Sequence, residues 1–358
     1  MQSMTEYFPK ITIGVDLGDR QSRICEVDAG ARVVKEGSLA TTRGAVQAYF
    51  VNRERCRVVL EAGTHSPWMS RQIAELGHEV VVANPSELYG KRRRKKRNDR
   101  TDAEFLARQG RADVALLHPI QHRGAKAQEH LALIRARDQL VRARTKLINH
   151  VRGSVKSVGG RIAKCSAEAF VGRARHQVPA ELRGALEPVL EVIADLTKRI
   201  HGMDRQVERL AREYPAAVRL QQPQGVGALT ALGYVLLIED PKRFARSREV
   251  GPYFGLVPRL DESSDSSPQL GITKAGDELG RRLLVSAAQY ILGPFGPECD
   301  LRRKGEAIAA RGGKNAKKRA VVAVARSLAV LLHRLWVTGA DYDPDRQLKR
   351  RLRSKQPV

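Results

Sequence analysis

Cysteine is scarce in this chain. Its 358 residues contain four, Cys25, Cys56, Cys165 and Cys299, far apart and with no Cys-x-x-Cys pair. That spacing excludes a zinc knuckle and a disulfide framework, and it fits a reducing compartment. Aromatic residues make up only 5%, which excludes base stacking on a single strand as the main mode of recognition. Acidic residues are in deficit: 39 Asp and Glu face 64 Lys and Arg, a formal net charge of +25. A small-molecule enzyme rarely carries such a charge, so a polyanion is the expected partner. Long apolar runs are missing too. The best stretch, Val321 to Trp336, is broken by Arg326, His333 and Arg334, so no membrane span is expected. The opening MQSMTEYFPK lacks a basic start followed by an apolar core, so no secretion signal is expected. Without a membrane, the polyanion is nucleic acid, and the expected location is cytoplasmic, at the nucleoid. Contacts to its backbone should dominate, and binding should fall steeply with salt.

What is present supports folded domains. Hydrophobic residues are 42% and charged residues 29%, enough for a buried core and for roughly two domains. ITIGVDL (11–17) reads as a buried strand, followed by strand-like runs at Arg23–Asp28 and Ala31–Ser38 with Gly30 and Ala31 at a hairpin turn. Helices are expected over Thr42–Asn52 and Pro67–Gly77, and strands over Arg57–Leu60 and His78–Ala83. Strands alternating with helices imply an α/β layer architecture. Seven consecutive basic residues follow: Lys91, Arg92, Arg93, Arg94, Lys95, Lys96 and Arg97. Such runs are usually solvated loops, but this one directly precedes Asn98-Asp99-Arg100-Thr101-Asp102 and reads better as a phosphate-contacting loop beside a site.

From Ala125 the pattern turns helical. Leu133, Leu140 and Leu147 repeat at seven, with Leu131, Ile134, Val141 and Ile148 on the adjoining face. Leu186, Val189, Ile193, Leu196, Ile200, Met203, Val207 and Leu210 alternate spacings of three and four, an a/d seam. Two antiparallel helices within one chain and a protruding coiled coil for dimerisation or nucleic-acid grip explain this equally well. Past Pro223, Gly225 and Gly227 lead into the apolar run Ala228–Ile238. A Gly-x-Gly turn entering a helix can offer N–H groups to a phosphate, although many glycine pairs merely turn the chain. Lys314–Trp336 reads as a helix with a basic start, and the tail from Asp343 is polar and basic.

Four acids carry the chemistry. Asp16 and Glu61 each follow a strand-like run, and Asp99 and Asp102 lie three apart at a helix start. Each alone is more often a cap or a surface residue. Together they would repel: two carboxylates ~4 Å apart cost about 4 kcal/mol at an effective dielectric of ~20. Hard cations relieve this, and oxygen-only ligands suit Mg²⁺ or Mn²⁺. Such ions support phosphoryl transfer. The histidines take the plain reading: Pro119 between His118 and His122 argues for a turn, and His65 is a neighbour of Glu61 rather than a ligand. Trp68 and Trp336 read as packing residues.

IGVDLG, VVLEAG and NDRTDAEFLA resemble the three acidic blocks of DEDD-type insertion-sequence transposases of the insertion-sequence one-hundred-ten family. GVGALTALGYVLLIED and YFGLVPRLDESSDSSPQLGITKAGDELGRRLL resemble that family's second region. The resemblance runs from about Ile11 to about Gly339. It implies an α/β RuvC-like (ribonuclease-H-like) domain over 1–124, a coiled-coil helical region over 125–215, a mostly α transposase domain over 216–340, and a basic tail over 341–358. It implies that Asp16, Glu61, Asp99 and Asp102 hold Mg²⁺, and that a serine forms a covalent bond with DNA. Counting from Pro258 to Ile272 places that serine at Ser263, with Ser264 one position away. Lys274, Gly276, Asp277 and Arg281 match the pattern that follows. The expected nucleic-acid contacts are Lys91–Arg97, Gly225, Gly227, Lys274 and Arg281. Glu262, Ser264 and Gly280 depart from the usual Gln, Gly and aliphatic residue. A glycine within a helix costs about 1 kcal/mol of propensity and points to close packing.

The implied function is a transposase or site-specific recombinase that cleaves and exchanges strands through a Ser263–DNA phosphodiester. Its implied partners are double-stranded DNA, a structured guide RNA and further copies of itself, as a dimer or tetramer. A serine hydroxyl needs activation, and no histidine lies in its loop, so a composite site joining acids and serine is expected, within one chain or across protomers. Competing readings are a junction-resolving nuclease that uses water, a non-catalytic nucleic-acid-binding derivative, and a sugar-kinase-like ATPase. The ATPase lacks a second phosphate loop and would not suit so basic a chain.

Overall fold

The structure is a computed structural model that describes residues 9–85, 99–260 and 269–353. Contacts divide the chain into two compact units, one up to Arg123 and one from Gly124.

In the first unit, β1 (Thr12–Asp16), β2 (Gln21–Val27) and β3 (Val33–Ala40) form an antiparallel meander. Asp28 closes the β2–β3 turn by accepting from the N–H groups of Gly30 and Arg32, both at 2.9 Å, while Ala31 takes φ 59°. Helix α1 (Arg43–Phe50), capped by Thr42, leads to β4 (Arg57–Glu61). Helix α2 (Ser66–Glu75) leads to β5 (Glu79–Ala83), and α3 (Asp99–Ala112) follows. The sheet order is β3-β2-β1-β4-β5, with β4 parallel to both β1 and β5.

Alternation along the strands assigns the two faces. Ile13, Val15, Val58 and Leu60 pack with Val46 and Phe50 of α1 and with Met69 and Ile73 of α2. The opposite face carries α3, whose Ala103 and Ala107 pack on Cys25 and Val27, and whose Leu106 packs on Val59. Two glycines permit the close approach. A Cβ on Gly14 would lie 2.0 Å from the Ala103 carbonyl oxygen, and one on Gly110 would lie 2.3 Å from Val59 Cγ2.

The second unit is mostly helical. It contains α4 (Ala125–Ser157), α5 (Phe170–Gln177), α6 (Ala180–Arg212), α7 (Pro215–Arg219), α8 (Ala228–Ile238) and α9 (Val250–Tyr253). An antiparallel hairpin follows, β6 (Pro258–Leu260) and β7 (Gln269–Ile272). Helices α10 (Glu278–Ile291), α11 (Asp300–Ala310), α12 (Ala316–Thr338) and α13 (Arg346–Arg353) complete it. By length and composition α12 could cross a membrane. Its Val324, Ala325, Leu328 and Leu332 are instead buried in the helical core.

The helices α4 and α6 pack on each other in opposite directions within one chain: Arg137 pairs with Asp204 at 2.8 Å, and Arg144 donates to Thr197 at 3.3 Å. The seam is phased differently from the sequence expectation. Leu186, Leu190, Ile193, Ile200, Val207 and Ala211 are buried, while Val189, Leu196, Met203 and Leu210 are only half-buried. On α4, Leu131, Ile134, Val151 and Val155 are buried, and Leu133, Leu140 and Leu147 flank them. Thr197 and Asp204, half-buried like Leu196 and Met203, face Arg144 and Arg137 across the helix pair. Ala127, Leu131, Ile134, Val207 and Ala211 share a core with α8, α10 and α12.

Candidate functional site

Three elements meet at one edge of the first unit. Asp16 ends β1 and Glu61 ends β4, one residue beyond the parallel register pair Val15–Leu60. Their side chains alternate with Val15 and Leu60, so they share the face that carries α3. Arg57, at the start of β4, donates to the Gly110 carbonyl at 2.8 Å, and Arg111 donates to the Ala29 carbonyl at 3.1 Å. The C-terminal end of α3 therefore sits at the amino edge of β1 and β4. Its first turn, which contains Asp99 and Asp102, therefore points toward the carboxyl edge, the end at which β1 and β4 carry Asp16 and Glu61. Asp16, Glu61 and Asp102 are each partly exposed.

The donors fit a hard divalent cation in kind, being carboxylate oxygens on one accessible edge. Among the described residues, no three His, Cys, Asp or Glu side chains already stand close enough to share a metal ion. The Asp99 side chain and residues Lys91–Arg97 lie outside the described residues.

The nearby histidines are occupied. Ser66 is fully buried and meets His122 Nε2 at 2.8 Å, while also donating to the Gly63 carbonyl at 2.8 Å. Burial, aided by Arg71 and Arg123, pushes the His122 imidazole below its ordinary value. His65 accepts from the Trp68 indole at 3.1 Å and pairs with Asp19 at 3.4 Å. His118 ends a short 3₁₀ turn at φ 45°. Trp68 packs partly buried against the core of the first unit, and Arg43 stacks over its ring at 5.5 Å. Trp336 packs against the core of the second unit, 6.4 Å from Tyr234.

In the second unit, β6 and β7 flank Ser263 and Ser264, which lie outside the described residues. The turn after β7 is tightly built. Lys274 takes φ 55° and Gly276 φ 81°, where a Cβ would lie 2.0 Å from the Tyr253 carbonyl oxygen. Arg281 Nη1 donates to the carbonyls of Lys274 at 3.1 Å and Phe254 at 3.2 Å. Arg281 thus holds this turn. Asp277 caps α10 by accepting from the Gly280 N–H at 3.0 Å and pairs with Arg135 at 3.0 Å. A Cβ on Gly280 would lie 2.5 Å from Phe254 and 2.7 Å from Leu237, the close packing expected of a glycine there. Gly225 takes φ 92° against Tyr290, and Gly227 precedes α8 with open space at its Cβ position.

Sequence reasoning passed over a set of cations that the fold gathers. Arg248, Lys304, Arg326, Arg334 and Arg346 line one cavity with the basic start of α12. The only sequence signal was that basic start, because the other members lie far apart in the chain.

Two family models match the chain. One, described as a transposase, matches residues 13–159; the other, described as transposase IS116/IS110/IS902 family, matches residues 217–299. The chain is 28% identical over 345 residues to the transposase for insertion sequence element IS1111A of Coxiella burnetii, spanning 92% of this chain and 90% of that protein. It is 28% identical over 291 residues to the transposase for insertion sequence element IS1328 of Yersinia enterocolitica, spanning 79% of this chain and 85% of that protein.

Proposed function

The chain is a transposase of the IS110/IS116 family by both family models and by its curated relatives, and from that premise we propose that it cleaves and rejoins DNA through a serine. The first unit is read as a RuvC-like, ribonuclease-H-like domain of DEDD type, and Ser263 as the nucleophile. The observation that carries this reading is the shared edge of Asp16 and Glu61, on neighbouring parallel strands at the end where α3 begins.

In this reading Asp16, Glu61, Asp99 and Asp102 would hold Mg²⁺ or Mn²⁺, which when bound supplies positive charge to the phosphate undergoing transfer. Ser263 Oγ attacks the scissile phosphorus and loses its proton. A P–O bond to one strand breaks, its oxygen leaves as a hydroxyl, and the phosphodiester energy is kept in the Ser263–DNA bond. Attack by a hydroxyl of another strand reverses the step and releases the serine, which completes exchange. Arg281 holds the turn beyond β7 and so positions the hairpin that carries the serine. A structured RNA directs the choice of site, and several copies of the chain assemble the reacting ends.

The test is a search for an SDS-resistant protein–DNA adduct on duplex DNA carrying the element ends, with Mg²⁺ and the RNA present. The wild type should form it and Ser263→Ala should not. An adduct retained in Ser263→Ala but lost in Ser264→Ala moves the nucleophile by one residue. Cleaved ends with no adduct under any condition would establish a water-using nuclease instead.

A further inference from the structure

The second unit contains a groove of about 1220 Å³ lined by α11, α12, the β6–β7 hairpin and the segment entering α13. This exceeds the ~300–1,000 Å³ of a small-molecule site. Nine of its lining residues are Lys or Arg and two are Asp. Both acids are already engaged: Asp300 pairs with Arg303 at 2.9 Å, and Asp343 with Lys349 at 2.9 Å. Among the described residues, none of Arg311, Lys314, Lys318, Arg326 and Arg334 has a carboxylate partner.

The cations form a winding stripe. Lys318, Arg326 and Arg334 recur every eight residues along α12, each turned about 80° from the last, and all line the groove. At ~1.5 Å per residue each lies about 12 Å further along the helix axis. The stripe extends ~24 Å along that axis, about seven base steps at 3.4 Å each. A line of charge suits a linear polyanion better than a compact anion. The interior is also under electrostatic stress. Lys304 donates to Ser327 at 2.7 Å, and burial together with Arg326 pushes its ammonium below its ordinary value. Burial and Arg346 do the same to Arg334, whose Nε is buried with no hydrogen-bond partner among the described residues. Seating an anion would relieve both repulsions.

We propose that this groove seats the backbone of duplex DNA alongside the β6–β7 hairpin. The proposal rests on the transposase reading and adds a surface to it. Pro258, Gly271 and Ile272, at the base of the hairpin, form part of the groove wall, so a strand held there lies next to the segment containing Ser263. Duplex is favoured over single strand because, among the described residues, Tyr342 is the one aromatic side chain lining the groove, and single-strand grooves rely on stacking.

The test measures binding of the full-length chain to a short labelled duplex across a salt series. The triple variant Lys314→Gln/Lys318→Gln/Arg326→Gln is compared with Lys146→Gln/Arg173→Gln/Lys198→Gln, which removes the same charge from exposed positions outside the groove. Losing three phosphate contacts should make the slope of log affinity against log salt shallower by about 2.7. The control triple should leave the slope unchanged. If the groove triple melts early, the single variants are measured, each expected to shift the slope by about 0.9. Equal shifts in both triples, or none in the groove triple, overturn the groove while leaving the transposase reading intact, as adduct formation by the same proteins would show. Loss of binding to an RNA hairpin with the duplex slope preserved would also overturn it.

Discussion

Glu26 shows how one side chain ties stability to pH. It accepts from Nη1 and Nη2 of the Arg53 guanidinium, each at 2.9 Å, and from the Tyr49 hydroxyl. Burial raises the Glu26 carboxyl, but the hydrogen bonds from Arg53 and Tyr49 outweigh it and hold the group below its ordinary value of 4.5. A depressed carboxyl contributes stability that is complete above its unfolded value and is lost as pH falls through its folded value. The first unit should therefore weaken on acidification below pH 4.5, and Glu26→Gln should flatten that limb. Urea midpoints followed from neutral to acid pH check this; parallel curves for the two proteins would reject it. At Gly14 the expected effect is steric. Gly14→Ala drives a methyl into the Ala103 carbonyl, at a cost of about 1–3 kcal/mol. Gly63→Ala, with nothing within 4 Å, should stay within about 0.5 kcal/mol. Asp16→Asn, at a partly exposed edge position, should abolish adduct formation while leaving the melting temperature near that of the wild type.

At the scale of elements, the α4–α6 pair marks the limit of pattern reading. The heptad spacing identified both helices and the existence of a seam. It chose Val189 and Leu210, which the structure leaves half-buried beside the buried Leu190 and Ala211. A stripe with apolar residues at adjacent positions has two phases of nearly equal burial. The polar pairs Arg137–Asp204 and Arg144–Thr197 join the two helices, and those pairs cannot be read without knowing the partner helix. Leu190→Ala should cost about 2–5 kcal/mol. Leu196→Ala should cost less, and the half-exposed Val192→Ala almost nothing; thermal or denaturant unfolding ranks the three. The strands of the first unit were easier to read. ITIGVDL and RVVL are short, β-branched and apolar, and these features are local.

For the whole molecule, the acids belong to the first unit and the serine to the second. If the reacting site forms across protomers, mixing Asp16→Ala with Ser263→Ala protein should restore part of the cleavage that each lacks. No rescue at any mixing ratio would restrict the site to one chain.

The strong positive charge, the alternation of strands and helices, and the order of the acidic blocks all belong to neighbouring residues, and the sequence alone determined them. Packing decided the rest. It chose which acids share a sheet edge, which face of α6 turns inward, and which cations, spread from Arg248 to Arg346, line one groove. Composition and periodicity describe a segment by itself. Convergence depends on how segments far apart in the chain bury their apolar faces, and the charges they carry go wherever those faces fit.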